Sequence, residues 1–349
     1  LETLSEEPLQ TLIALPKIDL HRHLEGSLRL STLAELVHSE SMDLPGDESV
    51  LQKMVQISPG EPHTSDIFLT KFKSLRNFYR SPEIIQRFVR EAVLDAASDN
   101  IRHLELIFTP YALAQERGFP LREVVDWVVE SARKTAEEEE ISVGLIASFN
   151  RHESMEIAEE VARIAVDQME NGIVGLSLAG NEVEFSAEPF AGLFHDAREA
   201  GLRISIHAGE WTGAETVRHA LETLEADRIG HGIRIMEDED VVAIARERRT
   251  TFEVCLSSNL HSGVIERMED HPLLAMIQAG LQVTLNTDDP AISNIRLSEE
   301  FLIAIEQLGL SITTIKALIL VAAQAAFLSP HKRKALEESM QAGLYPTGS

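Results

Sequence analysis

Two histidines one residue apart, His21 and His23, end an apolar run, Lys-Ile-Asp-Leu, and are separated by Arg22. On an extended strand, side chains two apart share a face, so this pair can grip one ion while Arg22 points away. A third histidine, His207, ends another β-branched run and is followed by Ala208, Gly209 and Glu210; a fourth, His231, lies between Gly230 and Gly232. Asp288 and Asp289 close a later run, and Pro290 stops it; as neighbours on a strand they are expected to point opposite ways. Three imidazoles with one carboxylate suit Zn²⁺, a borderline ion that accepts nitrogen and oxygen and brings no redox chemistry. The expected ligands are His21, His23, His207 and Asp288, holding one ion per chain. A closed structural site could use the same set. Against it, Glu210 falls in a loop where a substrate would rest, and His231 stays uncommitted beside the metal. A spare acid and a spare imidazole next to zinc equip a hydrolase.

These residues need a scaffold that brings separate strand ends together. Eight short apolar or β-branched runs occur, at 17–23, 103–110, 142–149, 173–180, 203–209, 228–232, 251–258 and 282–288. Helix-length amphipathic stretches separate most of them, including 123–139, 153–171, 188–200 and 214–225. Strand then helix, eight times over, predicts a closed α/β barrel of the (β/α)₈ type, with chemistry at the carboxyl ends of the strands. A doubly wound open sheet is the rival, but neither GxGxxG nor GxxxxGK[ST] occurs. The segment 24–102 is too long for a simple crossover and carries its own helical patterns at 67–78 and 82–98, which predicts a cap over the mouth. Residues beyond Asp289 read as packing helices. The whole chain, 1–349, is expected to form one domain.

Composition narrows the partners. The 57 acidic against 31 basic residues leave a net charge of −26, which repels nucleic acid and anionic membrane and favours a small-molecule substrate. One cysteine, Cys255, excludes an internal disulfide framework and a cysteine zinc cage. It also excludes the cytidine-type deaminases, which need a PCxxC pair. Residues 1–16 show no basic-then-apolar leader and no window approaches a membrane span, so a cytoplasmic location is expected.

Five motifs, in order along most of the chain, give a specific likeness: His21-Arg-His-Leu-Glu-Gly26, Leu178-Ala-Gly-Asn-Glu182, His207-Ala-Gly-Glu210, Arg228-Ile-Gly-His-Gly232 and Asn286-Thr-Asp-Asp-Pro290. Jointly the chain resembles the adenosine deaminase family of metal-dependent amidohydrolases. The resemblance implies a mononuclear zinc barrel that hydrolyses the C6 amino group of adenosine to give inosine and ammonia. Zinc lowers the pKa of water toward ~7 for attack on C6. By likeness, His231 orients that water and takes its proton, and Glu210 protonates purine N1. Asp289 meets N7, and both acids can bind a ring nitrogen only if protonated. Burial and crowding with Asp288 push their pKa values up, while zinc pushes them down. Gly180 offers its backbone N–H to N3, His23 and Glu25 lie toward the substrate, and Phe68 and Phe72, four apart, resemble a hydrophobic lid.

Two positions depart from the family pattern. Glu25 stands where Asp usually meets the ribose, and Asn181 replaces a common Asp. Glu25 also resembles relatives acting on adenine or on 6-amino-6-deoxyfutalosine, so those are the alternative substrates. A binuclear relative would carry a bridging Lys or acid on the fourth strand, which instead ends Ser177-Leu178-Ala179-Gly180. An inactive nucleoside-binding relative would lack one of the ligands, Glu210 or His231. The acidic run 137–140 reads as a solvated helix end, His38, His63, His195 and His219 as surface residues, and Cys255 as strand packing. Ser258 and His152 lie where they could support the ligands. Oligomeric state has no sequence signal.

Overall fold

The computed structural model describes residues 6–346. Eight strands, β1 (Lys17–His23), β2 (Ile101–Phe108), β3 (Ser142–Asn150), β4 (Ile173–Ala179), β5 (Arg203–Ala208), β6 (Arg228–His231), β7 (Thr251–Val254) and β8 (Gln282–Leu285), pair in parallel and in sequence order. The last returns to the first through a parallel bridge between Arg22 and Asp288. There His23 N–H donates to the Asp288 carbonyl and Asp288 N–H to the His21 carbonyl, each at 2.8 Å. The result is a (β/α)₈ barrel, with strands buried almost end to end as parallel strands beneath helices must be.

The expected runs shift at some ends. The second strand starts at Ile101, and the seventh and eighth stop at Val254 and Leu285 rather than at 258 and 288. Beyond β7 the chain coils into the helix Leu256–His261, because the buried Glu300 carboxylate takes the N–H groups of Leu256 and Ser257 at 3.0 and 3.1 Å. Beyond β8, the Asn286 side chain accepts the Leu20 N–H at 3.0 Å, replacing a ladder bond with a side-chain one.

A register irregularity between Asp19 and Arg22 re-aims β1. It lets the Asp19 carboxylate meet Arg22 Nε at 3.1 Å on the outer side, while His21 and His23 keep the inner one.

The insertion folds as four helices, Leu30–Ser39, Glu48–Val55, Ser65–Leu75 and Pro82–Ser98. Asp47, Thr64 and Ser81 cap the last three through side-chain oxygens, and Pro82 opens the fourth at a position that needs no N–H. The expected helix at 67–78 is thus Ser65–Leu75 followed by a 3₁₀ turn, Arg76–Phe78. After β8, helices Leu297–Glu306, Ile312–Ala325 and Pro330–Leu344 pack outside. Phe327, between the last two, seals the amino end of the barrel: the Arg228 guanidinium lies 3.5 Å from its ring centroid, and Gly175 is small enough to admit it. Among the described residues no helix is long and apolar enough to cross a membrane.

Candidate active site

At the carboxyl ends of the strands the backbone takes unusual turns. His231 and Asp288 hold positive φ values of 57° and 58°, a conformation that costs a non-glycine residue about 1–3 kcal/mol and recurs where side chains must be aimed. For Asp288 this overturns the expected alternation, because the left-handed residue turns the chain so that Asp288 and Asp289 both line one cavity. Two motif glycines make room. A Cβ on Gly26 would sit 1.9 Å from Asp289 Oδ1, and one on Gly230 would sit 2.9 Å from the His21 ring.

The cavity, about 260 Å³, is enclosed by the strand ends and the insertion. Its wall includes His23, His207, Asp288, Glu210, His231 and Asp289. Glu25, Gly180, Phe68 and Phe72 line it as well, so every expected site residue except His21 touches this space. His21 lies directly behind, fully buried. A larger cleft of about 500 Å³ opens beside Arg22 and Arg29 but contains none of these groups.

His21, His23, His207 and Asp288 each bring a donor atom within 4.8 Å of the others. Their hydrogen bonds fix which nitrogens carry lone pairs. His21 Nδ1 meets the Glu253 carboxylate at 2.6 Å and His207 Nδ1 meets the Leu178 carbonyl at 3.0 Å; both partners are acceptors, so both rings donate there. That turns Nε2 of each ring inward as the atom available to an ion, which on His21 would take the place of a proton. His21 Nε2 is buried without a hydrogen-bond partner, while His23 and His207 face each other Nε2 to Nε2 at 3.2 Å. Asp288 Oδ1 stands 3.3 Å from Nε2 of both His21 and His23. Converging lone pairs and a carboxylate repel one another unless a cation sits between them, so the residues fit a metal ion. Burial drives the His23 pKa down to about 3 and His207 well below the ordinary imidazole value, keeping both neutral as ligands must be. For His21 burial also disfavours charge, but the Asp288 and Glu253 carboxylates outweigh it and raise the pKa to about 10.

Beside this cluster stand the groups that could move protons. Burial, with Asp288 and Glu182 nearby, holds Glu210 well above the usual carboxylate range. Burial, then Asp288 and Glu25, does the same to Asp289, whose Oδ1 is buried without a partner. His231 Nε2 lies 3.7 Å from Glu210 and 3.8 Å from Asp288 Oδ2. A relay behind it sets its tautomer. The Leu273 N–H donates to His271 Nδ1, His271 Nε2–H donates to Asn259 Oδ1, and Asn259 Nδ2–H donates to His231 Nδ1. Burial lowers the His231 pKa to about 4, so the ring is neutral with its proton on Nε2. It therefore presents Nε2–H to the cavity.

Several supporting residues had no assigned role in the sequence. Glu182 gathers the N–H groups of Gly209, Trp211 and Thr212, fixing the loop that carries Glu210. Arg151 holds the His207 carbonyl at 2.5 Å. Glu253 binds Arg228, Ser205 and His21 together. The available signal was an acid inside the short, otherwise apolar β7. His38, His63 and His195 are exposed as expected, whereas His219 is half-buried. Cys255 is buried just past β7, Ser258 Oγ is buried and unpartnered, and His152 lines the cavity.

The adenosine deaminase family model matches residues 16–342. The chain belongs to the adenosine deaminase family. It is 34% identical over 329 residues to an adenosine deaminase from Clostridium perfringens, covering 94% of this chain and 99% of that one. An adenine deaminase from Arthrobacter aurescens superposes with a TM-score of 0.86 at 29% identity, covering 94% of this chain and 98% of the other. An N6-mAMP deaminase from Arabidopsis gives 0.85 at 27%, covering 95% and 99%. The protein is a purine deaminase, a hydrolase.

In a family member with this cluster, Glu253 should act on the metal through His21. Glu253→Gln is expected to lower metal affinity or turnover by about 10- to 100-fold. Metal titration and a thermal melt on the same sample check this; a folded variant with parental metal affinity would remove Glu253 from the list of supports.

Proposed function

We propose that this site hydrolyses the C6 amino group of a 6-aminopurine nucleoside, adenosine to inosine and ammonia being the simplest case, with one zinc ion held by His21, His23, His207 and Asp288. The observation that carries this reading is the pair Glu210 and Asp289, two carboxyls whose pKa values burial and neighbouring acids push up, on the wall of one cavity beside the cluster of three imidazoles and Asp288. A 6-aminopurine presents acceptors at N1 and N7, on either side of C6. Protonated carboxyls can donate to both, which a pair of carboxylates could not.

Zinc at the four ligands would supply Lewis acidity, lowering the pKa of water into the physiological range. The chain's own residues do the rest. Asp289 donates to N7 and the Gly180 N–H to N3, orienting the ring. Glu210 gives its proton to N1, which draws electrons from C6. His231 Nε2–H holds the water oxygen as it bonds to C6, and Asp288 Oδ2, the carboxylate oxygen facing His231, is placed to accept the water proton. Asp288 passes that proton to N6, the C6–N6 bond breaks and ammonia leaves, and the remaining O6–H proton returns to Glu210, leaving the 6-oxopurine with the donated proton on N1 and both acids as they began. Phe68 and Phe72, their ring centroids 6.0 Å apart, cover the base from the insertion, which acts as a cap within a single domain and excludes water.

Glu25 favours a second reading. Its Oε1 accepts the Thr109 N–H at 2.6 Å, but Oε2 is buried without a partner, and burial raises the pKa to about 7. A carboxyl of that kind could serve a free base as well as a ribose, which makes adenine the alternative substrate. The test is ammonia release by zinc-loaded protein offered adenosine, adenine and 6-amino-6-deoxyfutalosine, with metal content measured on the same sample. Adenosine is expected to turn over faster than adenine. Faster release from adenine would assign Glu25 to the base, and silence on all three with zinc bound would end the deaminase reading for this site.

A further inference from the structure

Resting on the orientation proposed above, the barrel's strand order says where the group on purine N9 must go. With N1 at Glu210 after β5, N3 at Gly180 after β4 and N7 at Asp289 after β8, N9 faces the remaining arc, the ends of β1, β2 and β3. Glu25, Thr109 and His152 line the cavity there. Over the same arc hangs Arg76, the first residue of the 3₁₀ turn that follows the helix Ser65–Leu75. Arg76 lines the cavity, is half-buried, and its guanidinium forms no hydrogen bond or ion pair with any described residue.

Many arginines of this chain pair with acids, Arg29 with Asp95, Arg87 with Glu35 and Glu91, and Arg228 with Glu105 and Glu253; among the described arginines without such a partner, Arg76 is the one that lines the cavity. The charges whose fields reach Arg76 are those of Glu25 and Glu153, and burial pushes both of these carboxyls toward the neutral form. Lys73, one turn earlier, lines the same cavity with no ion pair of its own. Two cations without an ion pair among the described residues therefore line the cavity, Arg76 half-buried and Lys73 exposed.

We propose that Arg76, assisted by Lys73, forms a subsite for an anionic group, phosphate or carboxylate, carried by the substituent on purine N9. A guanidinium offers a planar fork that binds either oxyanion with two donors, and partial burial strengthens the bond. The neutral nucleoside still fits the cavity, but it leaves both cations without a partner.

The experiment compares kcat/KM of the zinc-loaded full chain for adenosine, adenosine 5′-phosphate and adenosine 5′-carboxylate, at low and high salt. One anion is expected to exceed adenosine by about tenfold or more, the scale of one charge-assisted hydrogen bond. The advantage should lie in KM and shrink at high salt. Which anion wins identifies the group. In Arg76→Gln the ratio of anion to adenosine should collapse, and in Arg76→Lys it should partly return. The salt dependence of the parent protein needs no variant, so it decides the matter even if Arg76→Gln fails to fold. Calorimetry with inosine and inosine 5′-phosphate should give the same preference without turnover. Adenosine equal to or better than both anions, with no salt effect on the ratio, would overturn the subsite while leaving the deaminase reading intact. No turnover of any of the three would overturn both.

Discussion

Glu210→Gln is expected to keep its full metal content and lose at least about 10³-fold in turnover. General acid–base groups contribute about 10² to 10⁴, and Glu210 belongs at the upper end for two reasons. First, burial and the neighbouring Asp288 and Glu182 push its pKa up, which favours the proton-carrying form a general acid needs. Second, glutamine can still donate a hydrogen bond to N1 but cannot release a proton, so substrate binding is retained while C6 stays unactivated. The measurement is kcat and KM for the preferred purine alongside metal analysis. The loss should fall on kcat, because the missing interaction belongs to the transition state. A metal-replete Gln variant with near-parental kcat would assign the N1 proton to another group.

The second large effect is expected from the metal cluster. His21→Ala should lower metal affinity by more than ~100-fold, beyond the range seen when only an outer partner is lost, and activity should fall in step with metal content. His21 is the sharper choice among the ligands because it lies outside the cavity wall and does not line the substrate space. A loss of turnover in His21→Ala therefore reports the metal and not a lost purine contact. Removing the ring also strips the Glu253 carboxylate of its 2.6 Å partner in a fully buried setting, so a lower melting temperature should accompany the metal loss. Parental metal stoichiometry in a folded His21→Ala protein would break the ligand set.

Much of the site was legible because it lies on regular structure. His21 and His23 obey the two-residue period of a strand, and His207 falls at the end of another, so spacing alone placed them on one face. The barrel was legible for a related reason: buried parallel strands read as apolar runs, and their helices read as amphipathic segments between them. The period failed at Asp288 and Asp289, where a residue with φ of 58° turns the chain and sends both acids to the same cavity. It was silent on Glu253, since an acid in a buried strand can be read only once its partners, Arg228 and His21, are known to face it.

The sequence by itself determined which groups this protein brings to its site: three imidazoles and a carboxylate of the kind that holds a metal ion, two further acids, and the order of strand ends that delivers them. Those features are local, set by residue type and by the geometry of one strand at a time. The tertiary structure alone decided their surroundings. The His271–Asn259–His231 relay orients His231 through contacts between separate segments, burial and neighbouring acids push the Glu210 and Asp289 pKa values up, and Arg76 reaches the cavity only because the insertion folds over the mouth. Desolvation and through-space charge depend on which atoms surround a group, and those neighbours come from parts of the chain far apart in sequence.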